Sequence, residues 1–207
     1  MRFTRHETAA FIVATDRAFA PLVAAVGPPP ARRSARVDER FAHLLRSISH
    51  QLLATKAAAT IHGRVLDLLD GDTSVDAVSE LRVEDLRAAG LSRTKAEAML
   101  ELAEFSASGR INLARHGYMD DVDVVREVTQ VRGIGPWTAQ MYLMFTLARH
   151  DVWPTGDFGV RHGWSVIHGL DDNIADADLA VAGEPFIGVR SALADYCWAA
   201  VDEEGWQ

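Results

Sequence analysis

Taken as a pattern of hydrophobic and polar positions, the chain runs in helical period. Phe41, Leu44, Leu45, Ile48 and Leu52 fall at i, i+3, i+4, i+7 and i+11, one apolar stripe along a helix. Val65, Leu66 and Leu69 repeat the habit, as do Ala98 and Leu102 with Met99 and Ala103 beside them. The breaks between periodic stretches are sparse: "GPPP" at 27–30, "GDTS" at 71–74, "AAGLS" at 88–92, "SGR" at 108–110, "GIGP" at 133–136 and "WPTGD" at 153–157. Alternation is confined to a weak "VDVV" at 122–125. The pattern predicts an all-α chain of about eight to ten short helices.

Composition narrows this picture. At 207 residues and 48% hydrophobic, the chain can bury a core as one domain or two small lobes. It has no apolar run long enough for a membrane helix, and "MRFTRHETAAFIVATDR" lacks the order of a signal peptide, so a soluble, cytoplasmic protein is expected. The single cysteine, Cys197, excludes an internal disulfide, a cysteine-ligated zinc site and a four-cysteine iron–sulfur cluster. The eight histidines show no metal-ligand spacing, and no transition metal is expected. A net charge of −8 argues against polyanion binding by the whole molecule, so any such contact must be local. Basic residues cluster at Arg32, Arg33, Arg36 and Arg40, and the only lysines are Lys56 and Lys95.

Two turns carry more specific chemistry. In "VRGIGPWTAQM" (131–141), Gly133 and Gly135 flank Ile134, and Pro136 is pre-set for the first turn of a helix. Such a turn can aim the N–H groups of Gly133, Gly135 and Trp137 at an anion, with a helix N-terminus behind them. The same tetrapeptide also fits an ordinary inter-helical turn in which the glycines permit close packing. Ile134 favours a helix-hairpin-helix, since it is costly to expose unless it plugs the groove between two helices, the first near 121–129. "AAGLSRTKAEAML" (88–100) looks like a degraded copy of this stretch. In "VWPTGDFGVR", Asp157 stands where a helix can begin and is suited to cap it.

The stretch "VRGIGPWTAQMYLMFTLARHDVWPTGDFGVR" (131–161) resembles the hairpin, second helix and catalytic loop of the helix-hairpin-helix DNA glycosylase superfamily, most of all its 3-methyladenine DNA glycosylase II branch. "SISHQLLATKAAATIHGRV" (47–65), "GLSRTKAEAMLELA" (90–103) and "PFIGVRSALADYCW" (185–198) match family blocks in the same order, so the resemblance covers most of 38–200. It implies two helical lobes, about 38–130 and 1–37 with 131–207, with a lesion cleft between them and no mixed α/β lobe ahead of the core. It also implies a monofunctional glycosylase of base excision repair. Such an enzyme flips alkylated purines such as 3-methyladenine and 7-methylguanine out of double-stranded DNA and leaves an abasic site. A non-catalytic DNA-binding module, or a glycosylase for deaminated or mismatched bases, is the alternative.

By the same resemblance Asp157 falls on the catalytic aspartate, whose carboxylate would stabilise oxocarbenium character at C1′ and orient the attacking water. A base alkylated at N3 or N7 already carries positive charge and leaves readily. Trp137, Tyr142, Trp153 and Phe158 are the pocket aromatics that such a cation would meet. DNA contacts fall on Gly133, Ile134, Gly135 and Thr138, on Gln51 and Leu52, and on Arg190 and Ser191. Leu52 stands at the position of the wedge inserted into the base stack, although its own spacing reads equally as core. Bifunctional members carry a lysine where this chain has Trp137, so no lyase activity is expected. No cofactor is implied beyond a monovalent cation, Na⁺ or K⁺, on the backbone carbonyls of Thr129, Val131 and Ile134. The expected partner is damaged duplex DNA, bound by a monomer away from any membrane. His50 in place of a small residue, Gly156 in place of a second acid, and "PFIGVRS" (185–191) without the family's Trp and Tyr depart from the pattern.

Overall fold

The computed structural model describes residues 3–51 and 55–201 and contains no strand among them. Twelve α-helices form in the described residues: α1 (Arg5–Thr15), α2 (Ala20–Val26), α3 (Arg40–His50), α4 (Thr55–Leu68), α5 (Val75–Ser79), α6 (Val83–Ala88), α7 (Arg93–Ala107), α8 (Asp121–Val128), α9 (Pro136–Met141), α10 (Phe158–His168), α11 (Asp176–Ala182) and α12 (Arg190–Val201). The count exceeds the expectation because helices such as α5 and α6, of five and six residues, are too short to show a period. "VDVV" lies inside α8, where Val124 is buried and Val122 faces solvent.

The chain divides into two compact units, one of residues up to Arg32 together with those from Arg149 onward, the other from Arg33 to Ala148. The boundary thus falls at 148/149 and not at the expected 130/131. The hairpin and α9 stay with α3–α8 because Gly133 lies directly against α7 and the Gln51 side chain bonds to its carbonyl.

In the 33–148 unit, α3 packs on α4 and α7 and buries Phe41, Leu44, Leu45 and Ile48, the stripe read from the sequence. Across from it α7 buries Ala98, Met99, Leu102 and Ala103. Ser74 and Ser92 cap α5 and α7 through their hydroxyls. After α9 the chain widens into a π-helical turn, Tyr142–Thr146, so the helix that Pro136 begins changes its hydrogen-bond register at Tyr142.

In the other unit α10 lies along α12. Phe19 meets the rings of Trp164, His168, Phe186 and Tyr196 edge-on at 5.7–6.5 Å, an aromatic cluster that fills this core. Gly169 takes a left-handed conformation and ends α10, and His168 bridges back to Asp16 at 2.8 Å.

Candidate functional site

The hairpin forms as its residues require. Gly133 has φ +92°, in the region that favours glycine, and a Cβ there would stand 3.2 Å from Cβ of Ala98. Ile134 is 3% exposed, the plug between helices that its neighbours demanded. Gly135 is the N-cap of α9 with no side chain to close the helix end, and Pro136 follows at the first helical position. The start of α9 thus has no side-chain cap from its own N-cap residue.

Three contacts hold the turn. The Gln51 amide donates to the Gly133 carbonyl at 2.9 Å and to Thr138 Oγ1 at 2.8 Å. Glu101 of α7 accepts the Arg132 N–H. The Ile134 N–H returns to the Val131 carbonyl at 3.0 Å. Gln51 and Thr138, expected as DNA contacts, are thus first of all braces of the hairpin, and Thr138 is buried. Leu52 lies outside the described residues.

Asp157 is the N-cap of α10, as its sequence setting predicts, its Oδ1 accepting the Val160 N–H at 2.8 Å. The same oxygen accepts from Trp198 Nε1 of α12 at 2.9 Å. Trp198 escaped the sequence reading. A visible signal was the pair Gly159 and Gly163, i and i+4 on α10, since glycine inside a helix costs about 1 kcal/mol and marks close approach. A Cβ on Gly159 would stand 2.9 Å from Trp198 Cδ1, and one on Gly163 would stand 1.8 Å from the Cys197 carbonyl oxygen. These two glycines set the spacing that brings the Trp198 indole to the carboxylate.

The four predicted aromatics separate. Phe158, beside Asp157, is 67% exposed and stacks its ring on His162, and Trp137 is 38% exposed. Tyr142 is wholly buried with its hydroxyl 3.0 Å from His116 Nδ1, and burial raises the phenol's pKa far above its usual value. Trp153 is also buried, donating to the Leu179 carbonyl at 2.8 Å over Gly183. Both are buried in the core.

Arg190 and Ser191, expected as DNA contacts, are both engaged within the fold. Arg190 forms a two-point pair with Asp151 at 2.6 and 2.8 Å, which holds the aspartate below its usual pKa against the opposing effect of burial. Ser191 is buried, accepting from the Val152 N–H and donating to the Arg149 carbonyl. Three arginines of the basic cluster at 32–40 are engaged as well: Arg32 pairs with buried Asp195 at 2.5 Å, Arg36 with Asp38, and Arg40 is buried against the Leu113 carbonyl. Among the described residues no group of three or more His, Cys, Asp or Glu is placed to hold a metal ion, and no helix is long and apolar enough to cross a membrane.

No family model matches the chain. It is 29% identical over 186 residues to DNA-3-methyladenine glycosylase 1 of Schizosaccharomyces pombe, a match that covers 88% of this chain and 82% of that protein. The solved structure of the 3-methyladenine DNA glycosylase from Schizosaccharomyces pombe, in complex with abasic DNA, superposes with a TM-score of 0.85 at 28% identity, covering 92% of this chain and 94% of that one. A DNA-3-methyladenine glycosidase structure from Bacillus halodurans gives 0.78 at 29% identity, with 97% and 93% covered. With a plugged glycine hairpin, an aspartate capping the next helix and these likenesses over nearly its whole length, the chain is similar in sequence and fold to the 3-methyladenine DNA glycosylases and so to the helix-hairpin-helix DNA glycosylases.

Proposed function

We propose that the chain is a monofunctional DNA glycosylase that removes alkylated purines, 3-methyladenine and 7-methylguanine among them, from double-stranded DNA. The observation that carries this is the Asp157 carboxylate, fixed through Oδ1 by the Val160 N–H and the Trp198 indole. A carboxylate held at a set position is pre-organised to face positive charge at C1′. As the glycosidic bond breaks, its electron pair leaves with the base and neutralises the alkylated ring. Water then adds to C1′ and gives its proton to Asp157. Phe158, exposed beside Asp157, offers a ring face to the cationic base.

The hairpin supplies the grip on the strand. Its open α9 end suits a phosphate, which reconciles DNA binding with a net charge of −8. The carbonyls of Thr129, Val131 and Ile134 would hold Na⁺ or K⁺ as hard-oxygen donors. Val131 keeps a second lone pair beyond the one that receives the Ile134 N–H. Such an ion adds positive charge at the turn when bound.

The resemblance argues against lyase chemistry. The hairpin position is Trp137, and the Lys95 ammonium donates to the carbonyls of Ser49 and Gln51 at 3.0 and 2.6 Å. The chain incubated with methylated duplex is therefore expected to release free 3-methyladenine and 7-methylguanine, seen by chromatography, with strands intact until alkali is added. Binding without release would make it a DNA-binding module, and nicking trapped by borohydride would refute the monofunctional reading. Trp198→Phe, which keeps the ring but removes the N–H, is expected to slow single-turnover release about tenfold, the value of one hydrogen bond to a charged group.

A further inference from the structure

The "AAGLSRTKAEAML" stretch, a suspected copy of the hairpin, folds as one. Gly90 has φ +109° against +92° at Gly133, Leu91 is 4% exposed against 3% at Ile134, and Ser92 and Gly135 are the extended N-caps of α7 and α9. The copies differ in one respect that decides their roles. Ser92 closes its own helix, its hydroxyl accepting the Lys95 N–H, whereas Gly135 has no side chain to do so. The α6–α7 turn therefore carries a side-chain cap, and the α8–α9 turn does not.

The third helical residues of the two copies, Lys95 and Thr138, converge on Gln51. Lys95 Nζ donates to its main-chain carbonyl at 2.6 Å and to that of Ser49 at 3.0 Å. Thr138 Oγ1 accepts from its side-chain amide, which also reaches the Gly133 carbonyl. Glu101, further along α7, takes the Arg132 N–H. One helix thus steadies the hairpin both directly and through Gln51.

We infer that Lys95 is a positioning residue for the DNA grip: it fixes the Gln51 main chain so that the Gln51 amide holds the Gly133 peptide in the orientation that keeps the hairpin's N–H groups aimed at a phosphate. The α6–α7 hairpin is then a buttress of the DNA-binding hairpin. This rests on the glycosylase reading above. The ammonium at the C-terminal end of α3 also meets the carbonyl-rich pole of that helix, which a neutral side chain of equal length cannot replace.

The test is a double-mutant cycle on affinity for a duplex bearing a tetrahydrofuran abasic-site analogue, read by fluorescence anisotropy, with thermal melting as the fold control. Lys95→Met and Gln51→Ala are each expected to weaken binding about tenfold, and the double variant about tenfold and not a hundredfold, because both break the same path. Lys95→Arg should recover most of the loss. Losses that multiply would show Lys95 touching DNA directly, and unchanged affinity in folded Lys95→Met would show no role; either overturns the inference. If Lys95→Met does not fold, Thr138→Val paired with Gln51→Ala follows the same path from its other end, where losses that do not multiply support the path and losses that multiply, or no loss, overturn it. Failure of the wild-type chain to prefer the abasic duplex would instead count against the glycosylase reading itself.

Discussion

Asp157→Asn is expected to lower single-turnover release of 3-methyladenine about a thousandfold while leaving the melting temperature almost unchanged. The two effects separate because the proposed mechanism gives the residue a second task beside capping. As the N-cap of α10 it accepts the Val160 N–H, and asparagine caps a helix about as well as aspartate. Its Oδ1 can still receive the Trp198 indole, so the local geometry survives. What is lost is the negative charge that the proposed mechanism sets against C1′, and removing one pre-organised electrostatic partner of a transition state costs about 3–4 kcal/mol. At about 1.36 kcal/mol per decade this amounts to two to three orders of magnitude. Asp157→Ala should match the rate loss and add about 1 kcal/mol of instability from the missing cap. Release that persists at the wild-type rate in Asp157→Asn would remove the carboxylate from the chemistry.

The parts of this site that are legible in the sequence are those set by local chemistry. Gly133, Ile134 and Pro136 can be read because a left-handed glycine, an apolar plug and a proline at a helix start each follow from the neighbouring few residues. Asp157 can be read as a cap for the same reason. The stripe on α3 is clear because a buried helix face must repeat every three to four residues.

The bonds that Arg190 and Ser191 make within the fold are hidden in sequence because their partners are distant. Whether an arginine is available to a phosphate depends here on Asp151, 39 residues away, and no local pattern reports that pairing. Trp198 is hidden because its indole meets Asp157 only across the contact of α10 and α12. Tyr142 and Trp153 read as pocket walls because an aromatic near a site looks the same in sequence whether it faces the ligand or the core. The domain boundary shifts because the Gln51–Gly133 bond joins positions 82 residues apart. In each instance the deciding interaction is tertiary.

Gly163→Ala is expected to destabilise the chain by about 3 kcal/mol or more, in chemical denaturation, and to abolish base release at temperatures where the wild type is active. On helix propensity alone the change should stabilise by up to about 1 kcal/mol, so the sign itself is diagnostic. At this position a Cβ would lie 1.8 Å from the Cys197 carbonyl oxygen and 2.4 Å from its carbon, which are backbone atoms of α12 that no rotamer change can move. The helices must part, opening the contact that buries Val160, Trp164 and Leu193. Trp198 follows Cys197 and moves with it, so the Asp157 carboxylate loses its indole donor in the same step. Gly63→Ala in α4 is the control, since nothing lies within 4 Å of its would-be Cβ, and there the propensity gain should appear unopposed. Equal gains at both positions would mean that α10 and α12 tolerate separation, and the close approach at Gly163 would then not be what holds Trp198 against Asp157.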